Sequence, residues 1–402
     1  MEITAETIRS AREAIRGHVR TTPLYRSPLL SRACGCDVLL KCEYQQITGS
    51  FKERGAVYRL LRLTPDERAR GVIAASAGNH ALGLSYHGQR LGIDVTVVMP
   101  EQAPIVKVSR CRAYGAHVEL FGDSFDAARA HARERSEAEG LCFVHGFEDT
   151  AVIEGQGTVG LELLEQEPAI DVALVPVGGG GLLAGIAVAL HALAPEVRLI
   201  GVESESAPTL SEALEAGGPV AVRVRPSLAD GLGVAQAGAR AVELCRGRVS
   251  QVEQVSEPEI ADAVVRLLED EKAVVEGAGA VGVAYALRRP QLLAGKRVAI
   301  VLSGGNIDMN MVSRIIERGL AAAGRLCRFN VELEDHPGAL ARLLGVVSGA
   351  GANVLQIQHD RSFAPADVAK VSVTLVLETS DHAHVGRLRD AFAAQGFPDA
   401  AR

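Results

Sequence analysis

A chain of 402 residues is longer than one hydrophobic core usually serves, so two or three domains are expected. Apolar residues make up 48%, aromatics only 4% with no Trp, and glycine is abundant at 42 residues. That mix fits an α/β enzyme with tight strand-to-helix loops rather than a sandwich or a disordered chain, and a net charge of −7 without a basic block argues against a nucleic-acid or anionic-membrane surface.

The first residues, "MEITAETIRSAREAIR", contain no apolar signal core; Ile8, Ala11 and Ile15 mark one face of an amphipathic helix. "DVLLK" follows as a strand and runs into "QQITGSFKERGA" (45–56), which sets Lys52 between a Gly-Ser-Phe turn and a charged run. "VIAAS" (72–76) predicts a strand, "NHALGLSYHGQRL" a helix, and "DVTVVMP" (94–100) the next strand. "HVELF" (117–121), the helical "SFDAARAHARERSEAEG" and "LCFVH" (141–145) continue the alternation. Residues 172–195, "VALVPVGGGGLLAGIAVALHALAP", carry no formal charge and are long enough to span a bilayer, but four glycines and a proline interrupt them. A buried strand, a glycine loop and a packed helix explain the stretch better, and a soluble, cytoplasmic protein is expected. "VRLIGVE" (197–203) and "RVAIVL" (297–302) complete the strands, and Ser256 with Glu259 forms a capping box before "IADAVVRLLEDE". Strands separated by helices predict parallel sheets covered on both faces.

Near residue 325 the pattern changes to β-α-β-β-α, a split βαβ arrangement lacking its last strand. The expected division is a catalytic region over 1–316, with a small subdomain at about 45–145 inserted in a larger one, a linker over 317–325 and a third domain over 326–402. The seven cysteines (34, 36, 42, 111, 142, 245, 327) are odd in number and include no Cys-x-x-Cys pair, so reduced thiols are expected rather than a disulfide framework or zinc site.

Three segments lie where strands hand over to helices or loops, the edge at which open α/β sheets bind ligands. In "VGGGGLLAG", Gly178, Gly179, Gly180 and Gly181 expose backbone N–H groups ahead of a helix N-terminus, a cradle for a phosphate or a tight turn for close packing. The order is neither G-x-G-x-x-G nor a Walker loop, which favours a single phosphate over a dinucleotide or nucleoside triphosphate. In "SAGNHALG", Ser76 and Asn79 offer polar side chains, and the N–H groups of 76–80 could gather a carboxylate; the alternative is an ordinary helix cap. His80 reads as a structural histidine. In "VLSGGN", Ser303 ends an apolar strand, as turn serines often do. One ligand would explain all three loops and Lys52: a phosphate-tailed aldehyde with a ring nitrogen and a phenolic oxygen, which is pyridoxal 5′-phosphate. A lysine in that role needs a lowered pKa, expected here from burial and nearby N–H dipoles.

"TGSFKERGA", "SAGNHALG", "VPVGGGGLLAG" and "VLSGGNID" resemble, in order and spacing, the fold-type II pyridoxal-phosphate enzymes (tryptophan synthase β-like, two doubly wound sheets), and within them the threonine ammonia-lyases. The tail, with "DHPGALARLL" (335–344), resembles a ferredoxin-like ACT domain, an amino-acid-sensing module. The resemblance implies that Lys52 holds the cofactor and moves the Cα proton, that Phe51 borders the ring, and that Asn79 bonds the ring's 3′ oxygen. It further implies that Gly178–Gly181 and Leu182 hold the phosphate and that Ser303 faces the pyridine nitrogen. Ser76, Ala77, Gly78, Asn79, His80 and Phe147 would meet the substrate, and Asp335, Gly338 and Ala339 an effector, for which isoleucine or valine is the hypothesis. Asp335 could equally be the N-cap of the helix after it.

The implied reaction is β-elimination of L-threonine to 2-oxobutanoate and ammonia, with L-serine as a second substrate, in a homo-oligomer (dimer or tetramer) linked to isoleucine biosynthesis. Serine dehydratase and serine racemase share the four motifs, but Ala77 stands where the racemases carry a second serine. Of the racemases' metal site Glu203 and Ala207 match, while Thr209 replaces a carboxylate; no divalent metal is expected, and a monovalent cation stays open. "VHGFED" (144–149) departs from the usual His-Pro-Phe-Asp-Asp at Gly146 and Glu148, which puts loop rigidity in question. A non-catalytic cofactor-binding sensor is the reading from another class.

Overall fold

In the computed structural model, residues 2–361 and 369–397 are described, and they form two compact units, one running to Ile307 and one beginning at Asp308. In the first unit, strands β1 (Leu24–Arg26), β2 (Asp37–Lys41), β7 (Val172–Pro176), β8 (Arg198–Ser204), β9 (Gln251–Val255) and β10 (Arg297–Val301) make a sheet in the order β1-β2-β10-β7-β8-β9. Only β1 pairs antiparallel. A second sheet, in the order β5-β4-β3-β6, comes from β3 (Val72–Ala75), β4 (Val95–Met99), β5 (His117–Leu120) and β6 (Cys142–Phe143), all parallel. Both sheets carry the expected parallel α/β pattern.

The central strands are buried throughout: β7 is Val-Ala-Leu-Val-Pro without one exposed residue, as a strand covered on both faces should be. The charge-free stretch that could have spanned a membrane resolves into β7, a glycine loop and the helix Gly181–Leu193. No helix among the described residues is long and apolar enough to cross a bilayer. Ile8, Ala11 and Ile15 are buried on the first helix, Ala5–Ile15, and the Ser256/Glu259 capping box opens the helix Glu257–Glu271.

The charged run after Lys52 is not a solvated face. Glu53 and Arg54 are both fully buried. Glu53 accepts the Thr48 N–H and hydroxyl, each at 2.7 Å. Arg54 makes a two-pronged pair with Glu43 (Nε to Oε2 and Nη2 to Oε1, both 2.7 Å) and another with Glu162 (2.7 and 2.9 Å). Lys41, equally buried, donates to Glu162 at 2.6 Å and to the Thr22 carbonyl at 2.7 Å. Two cations thus meet two carboxylates with their donors directed, the condition under which buried ions are tolerated. Burial alone would raise the Glu43 pKa, but Arg54 and Lys41 outweigh it and hold the group ionised. This cluster ties β2 and the helix Thr150–Gln166 to the first turn of the helix Lys52–Leu61.

The second unit has three antiparallel strands, β11 (Leu326–Glu334), β12 (Asn353–Asp360) and β13 (Lys370–Glu378), in the order β11-β13-β12. The helices Ala339–Gly349 and His382–Ala394 bury Leu343, Val347, Leu388 and Phe392 against Phe329, Val331, Val373 and Leu375. Residues 317–322, expected in a linker, instead end the helix Met309–Ala322, which belongs to this unit; its Ala322 carbonyl meets His382 Nε2 at 2.9 Å. A final strand would fall within residues 398–402, outside those described.

Candidate active site

A cavity of about 340 Å³ opens at the carboxyl ends of the strands of both sheets in the first unit. Lys52, Phe51, Ser76, Ala77, Gly78, Asn79, His80, Phe147, Gly178 through Leu182 and Ser303 all line it. Every residue singled out in the first 316 positions for cofactor or substrate therefore meets at one place.

Lys52 opens its helix, and its Nζ donates to the Gly146 carbonyl at 2.7 Å. Burial lowers the amine to a pKa of about 8, so a usable fraction is uncharged near neutrality. The nearby N–H dipoles expected to contribute are not needed for this shift.

The glycine run fits a phosphate. Gly180 has φ of +86°, a left-handed conformation, and the helix Gly181–Leu193 starts directly after it. A Cβ on Gly179 would lie 2.4 Å from the Phe147 ring, and one on Gly181 would lie 2.8 Å from the Phe147 carbonyl. Only glycine leaves this wall open, and first-turn N–H groups have no acceptor inside their helix. Ser303 is buried, and its carbonyl accepts the Phe51 N–H at 3.0 Å, fastening the strand end to the lysine turn.

The Ser76–His80 loop is narrower as an anion site than its sequence suggests. The Ser76 N–H bonds the Val98 carbonyl at 3.2 Å, and Ser76 Oγ accepts the Gly78 N–H at 3.2 Å and the Ala81 N–H at 3.4 Å. Ser76 is thus held by the end of β4 and braces the first turn of the helix Asn79–Leu91, which leaves the N–H groups of Ala77, Asn79 and His80 for a carboxylate. His80 is buried with Nε2 3.1 Å from the Val144 carbonyl, and burial pushes its pKa down to about 3, consistent with a neutral structural ring.

The 144–149 loop is well tied despite Gly146. His145 Nδ1 accepts the N–H groups of Phe147 (3.4 Å) and Glu148 (3.2 Å), and Glu148 accepts the Ala239 N–H at 2.8 Å. Asp149 caps the helix Thr150–Gln166. Glu203 caps the helix Thr209–Ala216, accepting from Leu210 N–H (2.6 Å), Ser211 N–H (3.2 Å), Ser211 Oγ (2.7 Å) and Thr209 Oγ1 (3.2 Å). Its oxygens are spent on these donors.

In the second unit, Asp335 pairs with Arg361 at 2.9 and 3.1 Å, and does not cap the next helix, whose N-cap is Gly338 at φ +92°. Ala339 is buried.

Sequence reading passed over four groups at the cavity: Glu276, Asp230, Lys107 and Arg129. Lys107 on the helix Ile105–Ala113 reaches across the mouth to Asp230 at 3.1 Å. Glu276, 6% exposed, accepts from Asn79 Nδ2 at 2.7 Å. It is the one charged residue in residues 273–287, a signal that was available. Burial, then the neighbouring Asp230, raises its pKa to about 7 from an ordinary 4.5. A carboxyl raised in the fold carries no penalty below pH 4.5, where both folded and unfolded forms are protonated. The unfolded chain ionises first as pH rises, so stability is lost between pH 4.5 and 7 and stays lost above, by on the order of 3 kcal/mol. In the cofactor-free protein, Glu276→Gln should therefore melt above wild type at pH 8 and converge with it near pH 4.5. Parallel melting curves across that range would contradict this account.

Residues 15–304 match the family model "Pyridoxal-phosphate dependent enzyme". The L-threonine ammonia-lyase of Thermotoga maritima is 45% identical over 395 residues, covering 98% of each chain, and that of Geobacter sulfurreducens is 46% identical over 379 residues, covering 94% of each. Among solved structures, the processed form of threonine deaminase isoform 2 from Solanum lycopersicum superposes with a TM-score of 0.74 at 33% identity, over 78% of this chain and 93% of that one. Maize serine racemase gives 0.75 at 32% identity, over 80% and 99%. A family match over most of the chain and relatives that share nearly its whole length together mean that the chain belongs to the pyridoxal-phosphate dependent enzymes, among the threonine ammonia-lyases.

Proposed function

We propose that the chain converts L-threonine to 2-oxobutanoate and ammonia, the water lost in the β-elimination being returned when the resulting imine is hydrolysed, with L-serine as a second substrate. The observation that carries this reading is one amine, Lys52, poised in the same cavity as the glycine cradle, Asn79 and Ser303. The residues fit the cofactor: an open glycine wall for the phosphate, a strand-end hydroxyl for the ring nitrogen, and an amide for the ring's oxygen. When bound, pyridoxal 5′-phosphate supplies an aldehyde for covalent attachment and an electron sink for the bond broken at Cα.

The protein's own part is positional and acid–base. Lys52, with its pKa of about 8, takes the Cα proton once its amine is free. The free N–H groups of Ala77, Asn79 and His80 hold the substrate carboxylate, and Phe147 covers its side chain. Ser303 is neutral and cannot offset a protonated ring nitrogen as a carboxylate would, so fast loss of the β-hydroxyl is favoured over transamination. Ala77 offers a methyl and no proton donor, which supports elimination over racemisation.

The second unit is read as an ACT module whose Asp335–Ala339 loop takes an amino-acid effector, isoleucine or valine, in a cytoplasmic homo-oligomer of the isoleucine route. The βαββα order supports this reading, and Asp335 would have to leave Arg361 to engage an effector amine.

The test is a visible absorption spectrum of purified protein with added cofactor, followed by keto-acid release from L-threonine and L-serine at matched concentration. A band with threonine preferred is the expected result. Serine preferred would move the chain to the serine enzymes, since one methyl is worth only about 10–200-fold in an apolar pocket. No band would overturn the reading.

A further inference from the structure

Asn79 does not stand alone in the cavity wall. Its Oδ1 accepts from Asn306 Nδ2 at 2.8 Å, and its Nδ2 donates to Glu276 Oε1 at 2.7 Å. Asn306 is itself held at both ends: Nδ2 also donates to the Thr48 carbonyl at 2.7 Å, and Oδ1 accepts from Arg110 Nη1 at 2.9 Å. A guanidinium only donates and a backbone carbonyl only accepts, so the orientation of Asn306 is forced from both sides. Asn306 in turn forces that of Asn79, and Glu276 closes the chain. Once these bonds are made, the nitrogen side of Asn79 keeps one N–H for a ligand, while its Oδ1 is held toward Asn306.

The backbone makes room for this chain. A Cβ on Gly49, in the turn before Lys52, would lie 2.7 Å from Asn306 Oδ1, and one on Gly304 would lie 2.3 Å from Glu276 Oε1. Two glycines in motifs far apart in sequence are therefore required by the same line of side chains.

We propose that Asn306 and Glu276, with Arg110 behind Asn306, are positioning residues that present Asn79 to the cofactor as a hydrogen-bond donor. This rests on the pyridoxal-phosphate reading above. An amide free to turn would offer its carbonyl half of the time, and a carbonyl facing the cofactor's ring oxygen repels it when that oxygen is ionised. A fixed donor favours the ionised form and so sets both the affinity and the spectrum of the bound cofactor.

The experiment measures cofactor dissociation constants and the visible band of the bound cofactor for wild type, Asn306→Asp, Arg110→Gln, Asn79→Ala and the Asn79→Ala/Asn306→Asp double variant. In Asn306→Asp the carboxylate has no N–H to give, so Asn79 must turn its own amide nitrogen toward it. The dissociation constant should rise at least about tenfold, the scale of one hydrogen bond to a charged group, with a shift in the band's position or pH dependence. Arg110→Gln, on the exposed helix Ile105–Ala113, should move both in the same direction by less. In the Asn79→Ala background, Asn306→Asp should add nothing. An added charge or a general loss of structure would still act there, so additive losses would overturn the proposal, as would an Asn306→Asp variant within twofold of wild type and with the same band. Failure of the pyridoxal-phosphate reading would show instead in wild type, as no cofactor bound.

Discussion

Replacing Lys52 by alanine is expected to lower threonine turnover at least about 10³-fold and to remove the visible band of the bound cofactor. One amine serves twice, as the covalent anchor and as the base at Cα, so no neighbour inherits both tasks. The candidates are poor ones: burial holds His80 at about 3 and His145 at about 4, which makes both weak bases, and His80 Nε2 is already set against a carbonyl. Melting should change little, because Lys52 makes one hydrogen bond and belongs to no ion pair among the described residues. Steady-state assays, spectra and melting curves on the same preparation separate these effects. Turnover within tenfold of wild type would remove Lys52 from the reaction.

The largest effect on stability should come two residues later. Arg54→Met keeps much of the volume and the helix propensity but leaves Glu43 without its guanidinium and Glu162 with Lys41 and the more distant Arg12, 3.9 Å away. Breaking a buried pair from one side costs about 3–5 kcal/mol. A denaturant or thermal titration should show a loss of that size. Replacing Glu43, Arg54 and Glu162 together with apolar residues should recover part of it, since the uncompensated charges are then gone. Lys52 sits on the same first turn, so the single variant should also bind cofactor less tightly. An Arg54→Met protein as stable as wild type would mean that water or rearrangement already screens the cluster.

These two residues show where sequence reading reaches and where it stops. The four loops were legible because each is local: an apolar strand, then glycines or a hydroxyl, then a helix. Arg54 was not, because "KERGA" looks like any solvated helix turn until Glu43 and Glu162 are brought to it from elsewhere. Glu276 was passed over for the same reason, its partner Asn79 opening the helix Asn79–Leu91, 197 residues away. β1, three residues long, and β9, the polar Gln251–Val255, lack the apolar runs that revealed the other strands. The boundary after 316 was misplaced because the helix Met309–Ala322 reads as a continuation of the alternating region while it packs with the strands that follow.

Lys107 and Arg110 are one turn apart on the helix Ile105–Ala113, and each holds the opposite rim, at Asp230 and Asn306. The rim is thus fastened at two points by a single rigid rod. Exposed contacts of this kind are worth about 0–1 kcal/mol each and weaken with salt. Together they fasten the helix Ile105–Ala113 across the cavity rim without being part of either sheet. Ionic strength should then act on the substrate concentration needed for half-saturation through Lys107 and Asp230, and on cofactor affinity through Arg110 and Asn306.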